Sequence, residues 1–214
     1  MCIRDSLKLL LHPTYFPSII TFAALAQNEV VWEVCDNFQK QTYRNRCYIC
    51  TDQGKHMLNI PIKHVGTNQG RQRYSDVLMD NTSPWKKIHW RTLETAYRTS
   101  PYFEFYEDEL KPLFESSDEK LLDFNLKTIQ TIADCLNLEI SDTYSKSYEI
   151  TPKNLVDGRH LVNAKGATAY HQEKYNQVFE ERHGFIEDLS ILDLLFNEGP
   201  NSLQYIRNQS LVLS

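Results

Sequence analysis

The first 35 residues constrain the fold most, because two different apolar periodicities follow each other there. Residues 7–12 and 29–35 are apolar runs of strand length. Between them, residues 18–27 carry apolar side chains at helical spacing. A strand, a helix and a strand in this order form a βαβ unit, whose two strands lie parallel in one sheet. The sequence therefore predicts an α/β fold that begins with a parallel pair of strands.

Further β-rich runs extend this N-terminal unit into a mixed sheet with a β-hairpin. The predicted hairpin has strands at residues 47–50 and 57–62, around a short loop with Gly54 near its end. Residues 74–78 indicate a further strand, and residues 148–150 indicate a return of the chain to the sheet. We expect these runs to complete the β part of the fold.

Helix start signals dominate the middle and the end of the chain. Ser-Pro pairs at residues 83–84 and 100–101 favour helix starts, because Ser caps a helix and Pro suits its first position. Capping boxes at residues 116–119 and 190–193 indicate two more helices, and Gly-Pro at residues 199–200 ends the last. The sequence therefore predicts a helical middle and a helical C-terminal segment.

The composition is that of a globular domain. The chain has 214 residues, of which 41% are hydrophobic and 24% charged, and a domain of this length buries roughly 70% of its unfolded surface. We expect a single domain over residues 7–206. Residues 1–6 show no capping, strand or targeting pattern, and we expect them to be a non-native or disordered extension.

Charge, hydropathy and cysteine usage exclude several classes of partner. The net charge is -5 and no run of Lys or Arg occurs, which argues against nucleic acid. No apolar stretch is long enough to span a bilayer, so we expect no membrane insertion. Five cysteines without a regular framework indicate a reducing compartment, and we expect a cytoplasmic protein. The sequence leaves the oligomeric state open.

Cys47 and Cys50 form the chain's CxxC pattern, which raises the question of a metal or redox site. A zinc site needs a second pair of ligands at suitable spacing, and the sequence has none. In a strand, two residues at this spacing point to opposite faces. We therefore predict structural thiols and no metal site. The sequence also lacks Walker A, GxGxxG, GxSxG and HExxH motifs.

Residues 12–17 follow the first predicted strand and contain two prolines. Ligands of parallel sheets bind at the carboxyl ends of the strands, and the helix that starts here offers free N–H groups to an anion. The rigid turn therefore suits a binding site. The alternative is a Pro-rich turn that sends two aromatic side chains, Tyr15 and Phe16, into the core.

Residues 36–46 follow the second predicted strand at the same sheet edge and are almost continuously polar, without Gly or Pro. Arg44 and Arg46 can clamp a phosphate or carboxylate with parallel hydrogen bonds, and Asn45 can bind amides and hydroxyls. We favour this binding role over the alternative, an exposed polar strand edge. Trp85, His89 and Tyr102 belong to a third, aromatic cluster, for which we favour a helix core, with sugar stacking as the alternative.

These segments together resemble the WbqC-like protein family, and most closely its shorter, Bacteroidetes-type members. Residues 12–17 resemble the family's start motif, Gln-Pro-x-Tyr-Phe-Pro, with His12 in place of the glutamine. Residues 40–47 resemble its Lys-x-x-x-x-Asn-Arg segment. Residues 85–97 and 100–103 resemble the family's central helical block. Its C-terminal signature is similar to residues 175–179 and 188–200.

The resemblance implies work in bacterial surface polysaccharide (O-antigen) biosynthesis. Family members are described as glycyl or aminoacyl transferases that act on amino sugars. The implied substrate is a nucleotide-linked amino sugar, no fixed cofactor is implied, and ATP or an activated aminoacyl donor is the candidate co-substrate. The alternative is a non-catalytic module that binds a sugar or nucleotide within a polysaccharide-assembly complex.

A transferase of this kind requires a base that deprotonates the sugar amine. The predicted catalytic residues are His12 and Asp36, which end the first two strands, with His89 in reserve. The helix N-terminus after Pro17, or Asn45, is predicted to stabilise the oxyanion. The predicted substrate-binding side chains are Tyr15, Phe16, Lys40, Arg44, Asn45, Arg46, Trp85 and Tyr102.

Overall fold

The computed structural model describes residues 8–63, 71–163 and 172–211. Residues 1–6, the expected extension, lie outside this part of the chain. The strands described are β1 (Lys8–Leu11), β2 (Val30–Trp32), β3 (Arg46–Thr51), β4 (Gly54–Asn59) and β5 (Leu155–Asp157). The α-helices described are α1 (Ile19–Gln27), α2 (Trp85–Tyr97), α3 (Phe103–Glu115), α4 (Leu121–Cys135), α5 (Glu180–His183), α6 (Ile191–Glu198) and α7 (Ser202–Asn208).

The N-terminal βαβ unit is present as predicted. β1 pairs in parallel with β2, and Leu9 lies opposite Val30 in the register. Ser18 caps α1, because its side chain accepts a hydrogen bond from the Thr21 N–H at 3.5 Å. Nearly all side chains of β1 and α1 are buried, which agrees with the continuous apolar runs that predicted these elements. The unit therefore forms the first layer of an α/β core.

β1 lies in the centre of a three-stranded sheet in the order β2-β1-β5, with both pairings parallel. The prediction of a returning strand at residues 148–150 was wrong, since the returning strand is β5. Its three side chains are only half-buried, so it lacks the apolar signal of a central strand. Gly158 follows at once, and a Cβ there would lie 2.7 Å from Leu11 Cδ2, so this close approach requires glycine.

The hairpin of β3 and β4 forms a separate antiparallel sheet, with Cys47 opposite Leu58. Its loop ends at Gly54, whose φ of +95° favours glycine. The predicted strand at residues 74–78 is instead a 3-10 helix, Tyr74–Asp76. The α/β fold class with a βαβ unit, a hairpin and a helical remainder is confirmed.

The predicted helices are present, but three of their start signals act differently from the prediction. α3 begins at Phe103 with Tyr102 in the N-cap position, so Ser100 and Pro101 precede the cap. Pro84 lies in the N-cap position of α2 and not in its first turn. The capping box at residues 116–119 was wrong, because α4 begins at Leu121 and the cap residue Lys120 makes no side-chain hydrogen bond. Within the described ranges, no helix combines the length and the apolar character that a membrane span needs.

The C-terminal segment holds the turn between β1 and α1. Ile19 N–H donates to the Leu189 carbonyl at 2.9 Å, and Ile191 N–H donates to the Pro17 carbonyl at 2.9 Å. Ser190 caps α6 as predicted and also donates its hydroxyl to the Phe16 carbonyl at 3.0 Å. The end of the turn and the start of α1, at residues 16–19, are therefore held by the C-terminal segment.

Candidate functional site

The carboxyl ends of the three parallel strands bring polar side chains to one sheet edge. His12 follows β1, Glu33 follows β2, and Asp157 ends β5. The Glu33 N–H donates to the Leu11 carbonyl at 2.7 Å, which links the first two strands at this edge. Because these positions follow directly from the parallel order of the strands, this edge is the place where the topology assembles a site.

Three side chains form a hydrogen-bonded group here, which we call the His12–Asp36–Arg44 cluster. Arg44 Nη2 donates to Asp36 Oδ2 at 2.7 Å and to His12 Nε2 at 2.8 Å. His12 Nε2 lies 3.4 Å from the same Asp36 oxygen. The sequence predicted all three residues as site residues, and the structure brings them into direct contact.

The cluster is buried, and Asp36 is its most accessible member. The exposed fraction of the side chain is 8% for Asp36, 3% for His12 and 0% for Arg44. Burial, and then the neighbouring Arg44 charge, hold the pKa of His12 well below its usual value. His12 is therefore neutral at pH 7 and can accept the hydrogen bond from Arg44. The cluster carries one ion pair and one neutral imidazole.

Arg159 and Asp157 lie beside the cluster, and neither was predicted as a site residue. Arg159 binds Asp157 with two parallel hydrogen bonds, from Nε at 2.8 Å and from Nη2 at 2.6 Å. The hydrogen bonds from Arg159 raise its own pKa and lower that of Asp157. Arg159 Nη1 also lies 3.8 Å from Glu33 Oε2 and donates to the Glu149 carbonyl. Asp157 ends β5, so a prediction of this strand would have placed the pair at the sheet edge. β5 was not predicted from the sequence.

Several buried polar atoms around Arg44 have no hydrogen-bond partner among the described residues. They are Arg44 Nε and Nη1, Thr14 Oγ1, Asn45 Oδ1, Arg46 Nε and Asn125 Oδ1. The Asn125 amide donates to the Arg44 carbonyl at 2.6 Å, so these atoms lie in one neighbourhood. Buried polar atoms normally meet water or a ligand. Of the two arginines, Arg46 is only half-buried, so its guanidinium is the one that an anionic group can reach.

His89 lies in an aromatic group with Tyr15 and Trp85, separate from these contacts. The Tyr15 hydroxyl is 2.9 Å from His89 Nδ1. Burial lowers the pKa of His89 to about 4. Trp85 packs edge-on against His89 and Phe124. The Nδ1 of His89 is therefore engaged by Tyr15, and all three side chains are buried in the core.

The other predicted binding residues lie in several different environments. Phe16 is fully buried, stacks on Phe114 and has an unusual positive φ of 37°. The Asn45 amide holds the hairpin through the Ile60 carbonyl at 3.0 Å. Lys40 is exposed, Arg46 is half-buried at the start of β3, and Tyr102 is half-buried beneath Gly199.

A second buried polar centre was not predicted from the sequence. Asp193 is 1% exposed and accepts hydrogen bonds from the hydroxyls of Tyr97 and Tyr175, each at 2.6 Å. Burial raises the pKa of Asp193 to about 6. The sequence placed Asp193 in a capping box, but its carboxylate binds the two tyrosines and the Asn197 amide instead. No spacing in the sequence links residues so far apart.

The described part of the chain contains no cluster of three or more His, Cys, Asp or Glu side chains suited to a metal ion. Cys47 and Cys50 are buried free thiols on β3. Burial raises the pKa of both, to about 11 for Cys50. The chemical groups at the sheet edge are the Asp36–Arg44 ion pair, the His12 imidazole and the Arg46 guanidinium.

Comparison of the sequence with known proteins finds a matching family. The WbqC-like protein family matches residues 12–174. The uncharacterized protein Rv1507c of Mycobacterium tuberculosis (strain ATCC 25618 / H37Rv) is 28% identical over 196 residues, which cover 79% of this chain and 84% of that protein. No solved structure matches the chain significantly. The family match includes His12, Asp36, Arg44 and Arg159, whereas Asp193 lies beyond it.

Proposed function

Because this chain belongs to the WbqC-like protein family, we propose that it is a transferase of bacterial surface polysaccharide biosynthesis. The reaction we propose is acyl transfer, aminoacyl or glycyl, to the amine of a nucleotide-linked amino sugar. The observation that carries the proposal is the convergence of His12, Asp36 and Arg44 at the carboxyl edge of the parallel sheet. This is the edge where α/β folds bind their ligands.

Asp36 is the group we assign to proton transfer. The sugar amine must lose a proton before its nitrogen attacks the acyl carbon. Asp36 Oδ2 accepts that proton, the new C–N bond forms, and the bond from the acyl carbon to the leaving group of the donor breaks. Asp36 is the most accessible member of the cluster, so it is the one that meets a substrate. Its accessible fraction is small, and contact requires the amine to approach along the sheet edge.

His12 and Arg44 act as positioning residues for Asp36. Arg44 donates to the Asp36 carboxylate and to the His12 ring with the same nitrogen, so one guanidinium fixes both. His12 is neutral because burial and Arg44 lower its pKa, so it adds no second positive charge. His89 is a weaker candidate for the base, since it is buried among aromatic rings and its Nδ1 already meets the Tyr15 hydroxyl.

Arg46 is the residue we assign to the diphosphate of the nucleotide sugar. It is half-buried at the start of β3, next to Asn45, and its Nε has no partner among the described residues. A guanidinium binds phosphate oxygens in a planar, two-point geometry that an ammonium cannot reproduce. We expect Arg46→Lys to weaken nucleotide-sugar binding by about tenfold while the fold is retained, as measured by calorimetric titration. Unfolding of this variant would show that Arg46 has a structural role.

The direct test is incubation of the purified protein with nucleotide-linked amino sugars, glycine and ATP, or with a preformed glycyl donor. Mass spectrometry should detect a sugar that has gained one glycyl group. Asp36→Asn should reduce the rate by at least about a hundredfold. Asp108→Asn, an exposed carboxylate on α3, is the matched control and should retain full activity. Full activity in both Asp36→Asn and His12→Gln would refute the proposal.

A binding module is the second candidate, and the burial of the cluster favours it. Side chains that are at most 8% exposed can serve as a structural ion-pair network. A non-catalytic module would bind the nucleotide sugar without any mass gain on the sugar. At 100 times its dissociation constant, a bound nucleotide sugar should stabilise the protein by about 2.7 kcal/mol. Thermal denaturation and the mass assay together separate the two candidates.

A further inference from the structure

A cavity of about 780 Å³ lies at the far end of β3 from the His12–Asp36–Arg44 cluster. Its walls are the turn between β3 and β4, one face of α2, and α5. β3 begins at Arg46 and ends at Thr51, so the cavity lies about 17 Å along the strand from the start of β3. It is therefore a separate site, and it goes beyond the proposed function.

One face of α2 forms the longest wall of the cavity. Ile88, Arg91, Thr92 and Thr95 lie at i, i+3, i+4 and i+7 on α2, so they share that face, and Thr99 follows just after the helix ends. Ile88 is 56% exposed, which is unusual for a large apolar side chain on a helix that packs its other face into the core. This face of α2 therefore presents an apolar patch and hydroxyl groups to whatever enters the cavity.

Two guanidinium groups line the cavity from different elements, Arg91 from α2 and Arg182 from α5. Among the described residues, neither has a carboxylate within ion-pair distance. Arg98, on the same helix as Arg91, contacts three glutamates. Asp52 also lines the cavity, and its carboxylate accepts from the Gln53 amide at 2.9 Å. A local excess of positive charge on a chain of net charge -5 favours an anionic ligand.

The walls are connected, so the cavity is formed before a ligand arrives. His183 Nε2, on α5, lies 2.9 Å from the Asp52 carbonyl in the hairpin turn. Gly54, with its positive φ, brings the turn close to the His183 ring, and a Cβ there would lie 3.7 Å from His183 Nδ1. Phe179 adds an aromatic side chain to the same wall. The guanidinium groups are therefore held beside an apolar surface.

We propose that this cavity binds a small organic phosphate of mononucleotide size. Guanidinium groups bind phosphate oxygens, and the threonine hydroxyls and His56 can add hydrogen bonds. Ile88 and Phe179 contact the organic part of the ligand. The volume lies within the range of small-molecule sites, roughly 300–1,000 Å³. Inorganic phosphate alone would leave the apolar wall unused.

The test is calorimetric titration of the full-length protein with ADP as the probe, and with adenosine and pyrophosphate as its two halves. ADP should bind with a dissociation constant below about 1 mM and more tightly than either half. Arg91→Gln and Arg182→Gln should each weaken ADP binding about tenfold. Thr95→Trp should abolish binding, because Thr95 is exposed and its replacement fills the cavity without entering the core.

Matched controls locate the binding. Lys87→Gln removes one exposed positive charge from α2 outside the cavity and should change the dissociation constant by less than about twofold. Asp108→Asn changes an exposed carboxylate on α3 outside both sites and should leave ADP binding unchanged. The proposal is overturned if ADP shows no saturable binding, if pyrophosphate binds as tightly as ADP, or if the Arg91 and Arg182 variants bind ADP like the wild type.

Discussion

Asp193 is a buried carboxylate whose protonation is coupled to the stability of the fold. It is almost completely enclosed, and its two oxygens accept from the Tyr97 and Tyr175 hydroxyls. Burial favours the neutral acid and raises its pKa from 3.8 to about 6, while the two tyrosines oppose that rise. The folded state therefore binds a proton here at pH values where the unfolded chain has already lost it.

The first prediction concerns the pH dependence that Asp193 contributes. Between pH 3.8 and about 6, the folded state holds more protons at this site, so the free energy of unfolding decreases as pH rises. Asp193→Asn removes this term. Relative to the variant, the wild type should lose about 2 kcal/mol between pH 4 and pH 6, as measured by urea denaturation. Parallel stability profiles for the two proteins would contradict the assigned protonation.

The two buried polar groups, around Asp36 and around Asp193, differ in how well the sequence predicts them. His12, Asp36 and Arg44 were predicted because strand ends in a parallel sheet converge, and this is a property of the chain pattern. The partners of Asp193 were not predictable, since Tyr97 and Tyr175 reach it through the packing of separate elements. The capping pattern was also misleading there: Ser190 caps α6, but Asp193 does not complete the box.

At the level of elements, α6 depends on the glycine at its end. Gly199 has a φ of +51°, and a Cβ there would lie 2.5 Å from the Tyr102 ring. Gly184, at the end of α5, has a φ of +70°, with nothing within 4 Å of an added Cβ. The two positions share a similar backbone requirement and differ in the space around them.

The second prediction uses this pair of glycines. Gly184→Ala should destabilise the protein by about 1–2 kcal/mol, because only the backbone conformation is unfavourable. Gly199→Ala should destabilise it by at least about 1 kcal/mol more, because the new methyl group overlaps an aromatic ring. The measurement is the free energy of unfolding in urea. Equal losses in the two variants would mean that the Tyr102 ring moves away without energetic penalty.

The third prediction concerns the two cysteines of β3. Both thiols are buried and their pKa values are raised, so little thiolate is present at neutral pH. We expect Cys47 and Cys50 to react with a thiol reagent only after unfolding, while half-buried Cys35 reacts earlier. Metal analysis of the purified protein should detect no bound zinc. Stoichiometric zinc, or rapid labelling of Cys47 in the native state, would contradict this assignment.

Elements with strong local signals were predicted well, and elements defined by partners were not. β1, α1 and β2 carry apolar periodicity within themselves. β5 has half-buried side chains and gains its hydrogen bonds from β1, so only its pairing identifies it. The 3-10 helix Tyr74–Asp76 was mistaken for a strand because a short segment with one buried aromatic has no distinctive period.

For the whole molecule, the C-terminal residues are part of the core although the family match ends at residue 174. Ser190 and its neighbours hold the turn before α1, and the Gln27 amide donates to carbonyls of Ile206 and Gln209. Most of α6 is buried. The last helices of the chain therefore pack on α1 of the βαβ unit.

The fourth prediction follows from this coverage. A chain that ends at Lys174 should lose cooperative unfolding and near-UV circular dichroism, because removal of α6 exposes the apolar face of α1. The control is a chain that ends at Leu211, which keeps α6 and α7 and should unfold at the wild-type denaturant concentration. A cooperative transition in the shorter chain would show that the first 174 residues fold without the C-terminal helices.

The central position of β1 also means that one of its edges stays unpaired for much of the chain's synthesis. Leu9 pairs with Val30 on one side and with Val156 on the other, so one partner follows after about 20 residues and the other after about 150. At 5–20 residues per second, the second edge of β1 remains open for roughly 7–30 s. An unpaired apolar strand edge is a template for aggregation. We therefore expect the growing chain, more than the finished protein, to depend on chaperones that shield this edge.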